Sequence, residues 1–285
     1  MPILAISRAV RFSPDAVSRD ARVFSAVVAR LRTGGFDVRL YDEDEFAASP
    51  AIAHPVEAIV HMARSATALQ RIANEEQRGI LVVNSATALL RLATRKALCH
   101  ALSENGADVP PFLTYNIGDT YRGGFPLWAK ALRGDAPAHC VSYITSAATF
   151  RTYLQEAQAL GVTQFLLQAP QTGILLKFYG IAGTAFARLC LPSNDTPEMR
   201  RELEKRLCSP DAPTLEDVIK KKCHQLSEAL RLVCYGGDAI VDEQGRFYII
   251  DFNDFPSYGL FAEEAAASIA QRIIEKLKNR APLSS

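Results

Sequence analysis

The stretch GGDAIVDEQGRFYIIDFNDFPSY, Gly236 to Tyr258, holds two apolar runs, Ala239 to Val241 and Phe247 to Ile250, around the polar segment Asp242 to Gly245. Apolar runs on either side of a short polar loop, with glycine near the turn, are the composition of a β-hairpin. A loop of two or four residues would set Asp238 opposite Ile249 and make it a diagonal neighbour of Asp251 on the same face, about 7–8 Å away. Period-two alternation adds Asn253 to that face, about 6–7 Å further along the strand. Two carboxylates and an amide oxygen suit magnesium, an ion usually held by one or two carboxylates together with the phosphates of a nucleotide. The run Phe247 to Ile250 is aromatic and aliphatic on both faces, so it reads as a central strand, and a carboxylate at its end calls for a cation. The competing reading is that Asp251 and Asn253 only close the strand and open a turn before Pro256.

Upstream of the hairpin, the first third of the chain alternates strand and helix signals. Strands are predicted at Ile3 to Ile6, Val38 to Tyr41, Ala58 to His61 and Ile80 to Val83, with an amphipathic helix over Asp20 to Leu31. That alternation defines an open parallel α/β sheet, whose ligands bind beyond the carboxyl ends of the strands. The polar loop leaving the first strand, with Arg8, Arg11 and Arg19, is therefore the candidate substrate loop. A second region runs from a helix at Thr94 to Asn105 through strands near Phe112 to Tyr115, Leu127 to Ala131 and Cys140 to Ile144. A helix at Ser146 to Leu160 and a strand at Gln164 to Gln168 complete it. The third has strands at Ile174 to Tyr179 and Ala185 to Cys190, a helix over Thr214 to Leu232 whose Thr214 and Asp217 form a capping pair, the hairpin, and a last helix over Ala262 to Leu277. The expected divisions are 1–93, 94–168 and 169–285. Arg133 to Ala138 is a polar connection placed where a phosphate-covering flap could sit, and Pro192 to Pro213 reads as an insertion.

Composition restricts the function. With 285 residues and 48% apolar content the chain can bury the core of a multi-subdomain enzyme. Thirty-two basic against 31 acidic residues, a net charge of +1, argue against a nucleic-acid binder or a membrane-surface protein. Lys220 to Lys222 lie on a helix whose opposite face carries Leu215, Val218, Ile219, Leu226 and Leu230, so they read as solvated. Six scattered cysteines without a CxxC pair read as buried thiols, and His54, His61, His100 and His224 have no metal-ligand spacing. No leader and no long apolar run is seen, so a cytoplasmic location is expected. Two lysines, Lys130 and Lys177, interrupt apolar strands, and a buried ammonium needs a carboxylate or phosphate beside it. Two such cations and a carboxylate pair are the parts that an ATP·Mg site requires.

The order Arg95-Lys96 at a helix start, Gly106 to Pro110, Lys130, Gln168, Lys177, Asp238 and Asp251-Phe252-Asn253 resembles the ATP-grasp superfamily over about residues 84 to 275. The resemblance implies an α/β ATP-grasp fold, in which an N-terminal open parallel domain precedes two α+β subdomains that enclose ATP. It further implies ATP contacts from Lys96, Lys130, Gln168, Ala169, Pro170, Lys177, Asp238 and Asp251, and Mg²⁺ held by Asp238, Asp251 and Asn253. Lys130, Lys177, His139 and Arg188 would be catalytic, and Arg8, Arg11, Arg19 and His139 would meet the substrate. Asp251 to Tyr258 and Lys177 to Tyr179 are more specifically similar to the inositol polyphosphate kinase branch, where His139 matches a substrate-contacting histidine. Asp251 stands where ligases usually carry glutamate, and Ala169 where an acidic residue is common. The implied activity is ligation, with a small-molecule carboxylate activated as an acylphosphate and captured by an amine or thiol. The alternatives are a small-molecule kinase acting on a polyol and a nucleotide-binding protein without turnover. The expected partner is a small acid or polyol, with homo-oligomerisation left open.

Overall fold

The computed structural model describes the chain except residues 50, 51, 53, 54, 134–139, 193–195, 197, 199, 200, 202–213 and 280–285. The flap loop beyond Arg133, His139, His54 and most of the 192–213 insertion therefore lie outside the described residues. Three four-stranded sheets organise the rest.

The first sheet has the order β2-β1-β3-β4, from β1 (Ile3–Ser7), β2 (Val38–Asp42), β3 (Ala58–His61) and β4 (Leu81–Val83), and every pairing is parallel. Strands β1 and β3 are buried almost throughout, as continuous apolar runs in a covered parallel sheet must be. The connecting helices are α1 (Val17–Thr33), α2 (Glu43–Ala48) and α3 (Ala66–Gln77), followed by α4 (Ala86–Arg91). Glu43 is fully buried, and its carboxylate accepts the backbone N–H groups of Ala9, Arg64 and Ser65. One side chain thus ties together the loops at the carboxyl ends of β1, β2 and β3, where an open sheet places its ligands.

The second sheet is antiparallel, β5-β8-β6-β7, built from β5 (Phe112–Asn116), β6 (Leu127–Ala131), β7 (Val141–Ile144) and β8 (Gln164–Gln168). Helix α6 (Ala147–Ala159) covers one face through Phe150, Tyr153 and Ala157, and α5 (Arg95–Glu104) leads into the sheet. The third sheet, also antiparallel, has the order β10-β9-β11-β12, from β9 (Ile174–Ile181), β10 (Ala187–Cys190), β11 (Cys234–Val241) and β12 (Phe247–Asp254). Helix α7 (Leu215–Ala229) opens on the anticipated Thr214–Asp217 capping box and packs Ile219, Cys223 and Leu226 against one face. Each of its fully buried aliphatic side chains contributes roughly 1.5–3 kcal/mol. Val218, expected on that apolar face, is instead 42% exposed, one position off the buried stripe of α7. The last helix, α8 (Ala262–Lys278), packs along α1, so that one core joins Ile3, Val23 and Val27 with Phe255, Tyr258, Ile269 and Ile273.

Two expectations for the hairpin are corrected. Strand β12 is an edge strand of its sheet rather than a central one. Its outer edge is covered by other parts of the chain, with Ile249 N–H donating to Asp108 O and Ile250 O accepting from Lys130. The loop also holds three residues, not two or four. Asp242 pairs with Arg246 and Gly245 takes φ +76°, the left-handed position of a three-residue hairpin loop. That register alone would turn Asp251 to the wrong face. A bulge at Ile250 restores it, because Ala239 faces Ile249 while Asp238 faces Asp251 directly.

Candidate active site

The face of the third sheet turned away from α7 carries a polar row. Cys190, Lys177, Asp238 and Asp251 stand on adjacent strands in register, and Arg188, Tyr179, Gly236 and Asn253 form the next row. Lys177 Nζ donates to Asp238 Oδ1 at 2.8 Å. Asn253 Nδ2 donates to Asp251 Oδ2 at 3.1 Å. Burial pushes the Asp238 carboxyl up, and facing Asp251 adds to that shift against the pull of Lys177. Burial disfavours the Lys177 ammonium, but the hydrogen bond and charge of Asp238 outweigh it and raise this lysine. Gly237, next to Asp238, has no room for a side chain, since a Cβ there would stand on the Asp251 carbonyl and the Phe178 ring.

The opposing wall comes from the second sheet. Lys130 is 8% exposed and donates to Gln168 Oε1 at 2.7 Å and to Ile250 O at 3.0 Å, so it spans the gap between the two sheets. Both partners are neutral, and burial lowers the ammonium's pKa despite the charge of Asp251. Gln168 is buried and its Nε2 has no hydrogen-bond partner. Ala169 N–H donates to Pro111 O and Pro170 has no N–H, which leaves the carbonyl oxygens of this segment as the backbone groups a base could meet. Trp128 is 38% exposed on the same face of β6 as Lys130, and its ring is tilted against that of Tyr143 with the centroids 5.1 Å apart.

Arg95, a motif neighbour in the sequence, reaches the acids in the structure. Thr94 caps α5, Arg95 N–H donates to Leu132 O, and its Nε donates to Ala131 O at 3.1 Å, which leaves Nη1 at 3.7 Å from Asp251 Oδ1. Lys96, the residue expected to contact ATP, is exposed one step around the helix. Helical geometry turns consecutive side chains by about 100°, so only one of the pair can face the cleft.

The substrate loop is largely corrected. The Arg8 guanidinium is buried and donates to Asp20, Met62 O and Phe255 O, so it joins the first sheet to the loop after β12 rather than facing a ligand. Arg11 lies at the surface, paired with Asp44 and stacked on Phe12. Arg19 is exposed and donates to Asp15 O, although its charge reaches Tyr179 on the polar face. Arg188 shares that face, but its guanidinium is turned onto Glu264 of α8. His139 lies outside the described residues. Arg64, which the sequence did not single out, pairs with Asp254 at 2.7 Å at the end of β12.

The donor set fits a nucleotide with magnesium. Asp238 and Asp251 face one another on adjacent strands, and a divalent cation would relieve the burial and mutual repulsion of the pair. No group of three or more His, Cys, Asp or Glu side chains poised for a metal occurs among the described residues. Beside Lys130, whose hydrogen-bond partners are neutral, Gln168 Nε2 without an acceptor is an unsatisfied group of the kind a polar ligand completes.

No family model and no curated protein sequence matches the chain. Solved structures do. The D-alanine–D-alanine ligase of Bacillus anthracis is similar over 98% of this chain and 96% of its own, at a TM-score of 0.67 and 13% identity. The RimK domain ATP-grasp protein of Sphaerobacter thermophilus DSM 20745 is similar over 95% and 99%, with a TM-score of 0.67 and 18% identity. The VanG D-Ala:D-Ser ligase of Enterococcus faecalis is similar over 97% and 98%, with a TM-score of 0.66 and 12% identity. The chain has the ATP-grasp fold, as the order of its motif residues implied.

Proposed function

We propose that the protein is a Mg·ATP-dependent ligase that activates a small-molecule carboxylate as an acylphosphate, which an amine or thiol then captures. The observation that carries this reading is the cleft between the second and third sheets, where Lys130, with only neutral partners, faces the acidic row of Asp238 and Asp251. ATP fits there with its phosphates toward Lys130 and its base against the 168–171 linker, flanked by Trp128. Asp238, Asp251 and Asn253 would hold magnesium, which supplies charge stabilisation to a phosphoryl group in transfer. Lys130 and Lys177 add positive charge on the same oxygens, and Arg95 steadies Asp251. The ligase names of the similar structures, one of them complexed with ATP, support the choice of ligation.

A kinase acting on a hydroxyl is the second reading, favoured by the likeness of Asp251 to Tyr258 to inositol polyphosphate kinases. Hydroxylamine separates the two. With ATP and the acid substrate but no amine, a ligase yields a hydroxamate, whereas a kinase yields a stable phosphate ester and no hydroxamate. ATP hydrolysis without either product would leave neither reading standing.

A further inference from the structure

Where the carboxyl end of α7 meets α8 and the turn before β4, an open groove of about 470 Å³ lies between the first and third sheets, and none of the residues lining it belongs to the nucleotide cleft. Most of its charges are accounted for by one another. Arg231 is paired with Glu76 at 2.9 Å, and that carboxylate also accepts from Ser85 and Thr87. Arg272 has Glu275 at 3.6 Å, while its Nε is buried without a hydrogen-bond partner. Lys276 has no acid partner among the described residues, and burial and the neighbouring Arg272 both lower its pKa with no carboxylate offsetting them. The acid left over is Glu228, whose neighbour His224, at 3.6 Å, is charged only when protonated. One ammonium and one carboxylate thus remain in the groove, each in a place its own helix disfavours. Arg272 and Lys276 are like charges at i and i+4 on one face of α8. Glu228 stands in the last turn of α7, where the helix dipole is already negative. The Arg272 guanidinium lies directly over Gly183, where a Cβ would come within 2.3 Å of Nη2, so a bare backbone position leaves room for it.

We propose that this groove is a second ligand site, which binds a zwitterionic amino acid with an apolar side chain, its carboxylate on Lys276 and Arg272, its ammonium on Glu228 and its side chain on Ile80, Leu81 and Leu232. The carboxylate supplies the acceptor that Arg272 Nε lacks. A zwitterion answers both leftover charges at once, whereas an anion or a cation alone would leave the other unpaired. The site lies outside the nucleotide cleft and does not depend on the ATP reading of it.

The test is calorimetric titration of the full chain, without nucleotide, with D- and L-norvaline, butyrate and butylamine. At least one norvaline enantiomer should bind saturably, and butyrate and butylamine should each bind about tenfold more weakly or not at all. Lys276→Gln and Glu228→Gln, both at positions open to solvent, should each weaken norvaline by about tenfold or more while the thermal midpoint stays as in the unaltered protein. Asp251→Asn, in the nucleotide cleft, should leave norvaline affinity unchanged. Absence of norvaline binding, butyrate or butylamine bound as tightly as norvaline, or unchanged norvaline affinity in either groove variant would each overturn the proposal. So would a loss in Asp251→Asn equal to theirs, which would put the amino acid in the nucleotide cleft instead.

Discussion

Asp251 is the residue on which most of the cleft converges, since Asp238, Asn253 and Arg95 all meet it. Asp251→Asn removes the charge at nearly constant volume. It should abolish Mg·ATP turnover with little change in thermal midpoint, and turnover at the unaltered rate would show that the acid row is not the metal site. Lys130 is held by neutral oxygens and its ammonium is depressed by burial, and the proposed function gives it a phosphate as its charged partner. Lys130→Met should weaken nucleotide binding by about 1.5–3 kcal/mol, the range for hydrogen bonds to charged groups. An unchanged ATP dissociation constant would assign Lys130 to packing between the sheets alone. Both residues were legible because a charge inside an apolar strand is costly without a partner. Arg64 was not legible, because an arginine in a polar loop looks the same whether it points to solvent or to Asp254.

The β11–β12 hairpin shows how local conformation sets the site. Its sequence marks it as a hairpin, yet loop length and bulge each shift the register by one, and two shifts of opposite effect return Asp251 to the face of Asp238. The two glycines should therefore respond differently to alanine. Gly245→Ala places a side chain at φ +76° in an otherwise open turn, and should cost about 1–2 kcal/mol in a urea titration with catalysis retained. Gly237→Ala forces the Asp251 carbonyl and the Phe178 ring aside. It should cost about 1–3 kcal/mol and also reduce turnover, because the strands that carry Asp238 and Asp251 must move. Equal losses of turnover in both variants would refute this division of roles. The loop after β12 is held in an equally specific shape, with Phe255 at φ +36° and Tyr258 at φ +57°, both fully buried. Non-glycine residues in that region are strained and persist only where packing holds them.

Across the whole molecule, the first and third sheets behave as one body. Asn84 donates from Nδ2 to Cys234 O and accepts Cys234 N–H on Oδ1, imitating a strand neighbour, and His61 meets the Asn84 carbonyl at 2.9 Å. His61 is buried, and desolvation holds its pKa below the ordinary 6.5. The unfolded chain thus binds a proton more readily than the folded one, so this contribution is present above pH 6.5 and lost as the pH falls below it. Urea midpoints measured at pH 7.5 and about 5.5 should fall for the unaltered protein and fall less for His61→Gln. An identical fall in both would place the acid sensitivity elsewhere. Arg8, read from the sequence as a substrate cation, belongs at this scale, since its bonds to Asp20 and Phe255 O fasten the two sheets together.

The grouping of Lys130 and Gln168 with the acids was implied by the resemblance to the ATP-grasp superfamily, whereas strand and helix order, the parallel first sheet, the capping box of α7 and the shared face of Asp238, Asp251 and Asn253 could be read along the chain. They depend on periodicity, turn chemistry and the cost of burying charge, which act over a few residues. The edge position of β12, the register set by Gly245 and Ile250, the choice of Arg95 over Lys96 and the locking of Arg8 came only with the tertiary structure. Each depends on which surface a side chain meets from a segment far away in the chain, and in a near-neutral chain rich in arginine the local pattern is the same for a solvated guanidinium, an interdomain bond and a ligand contact.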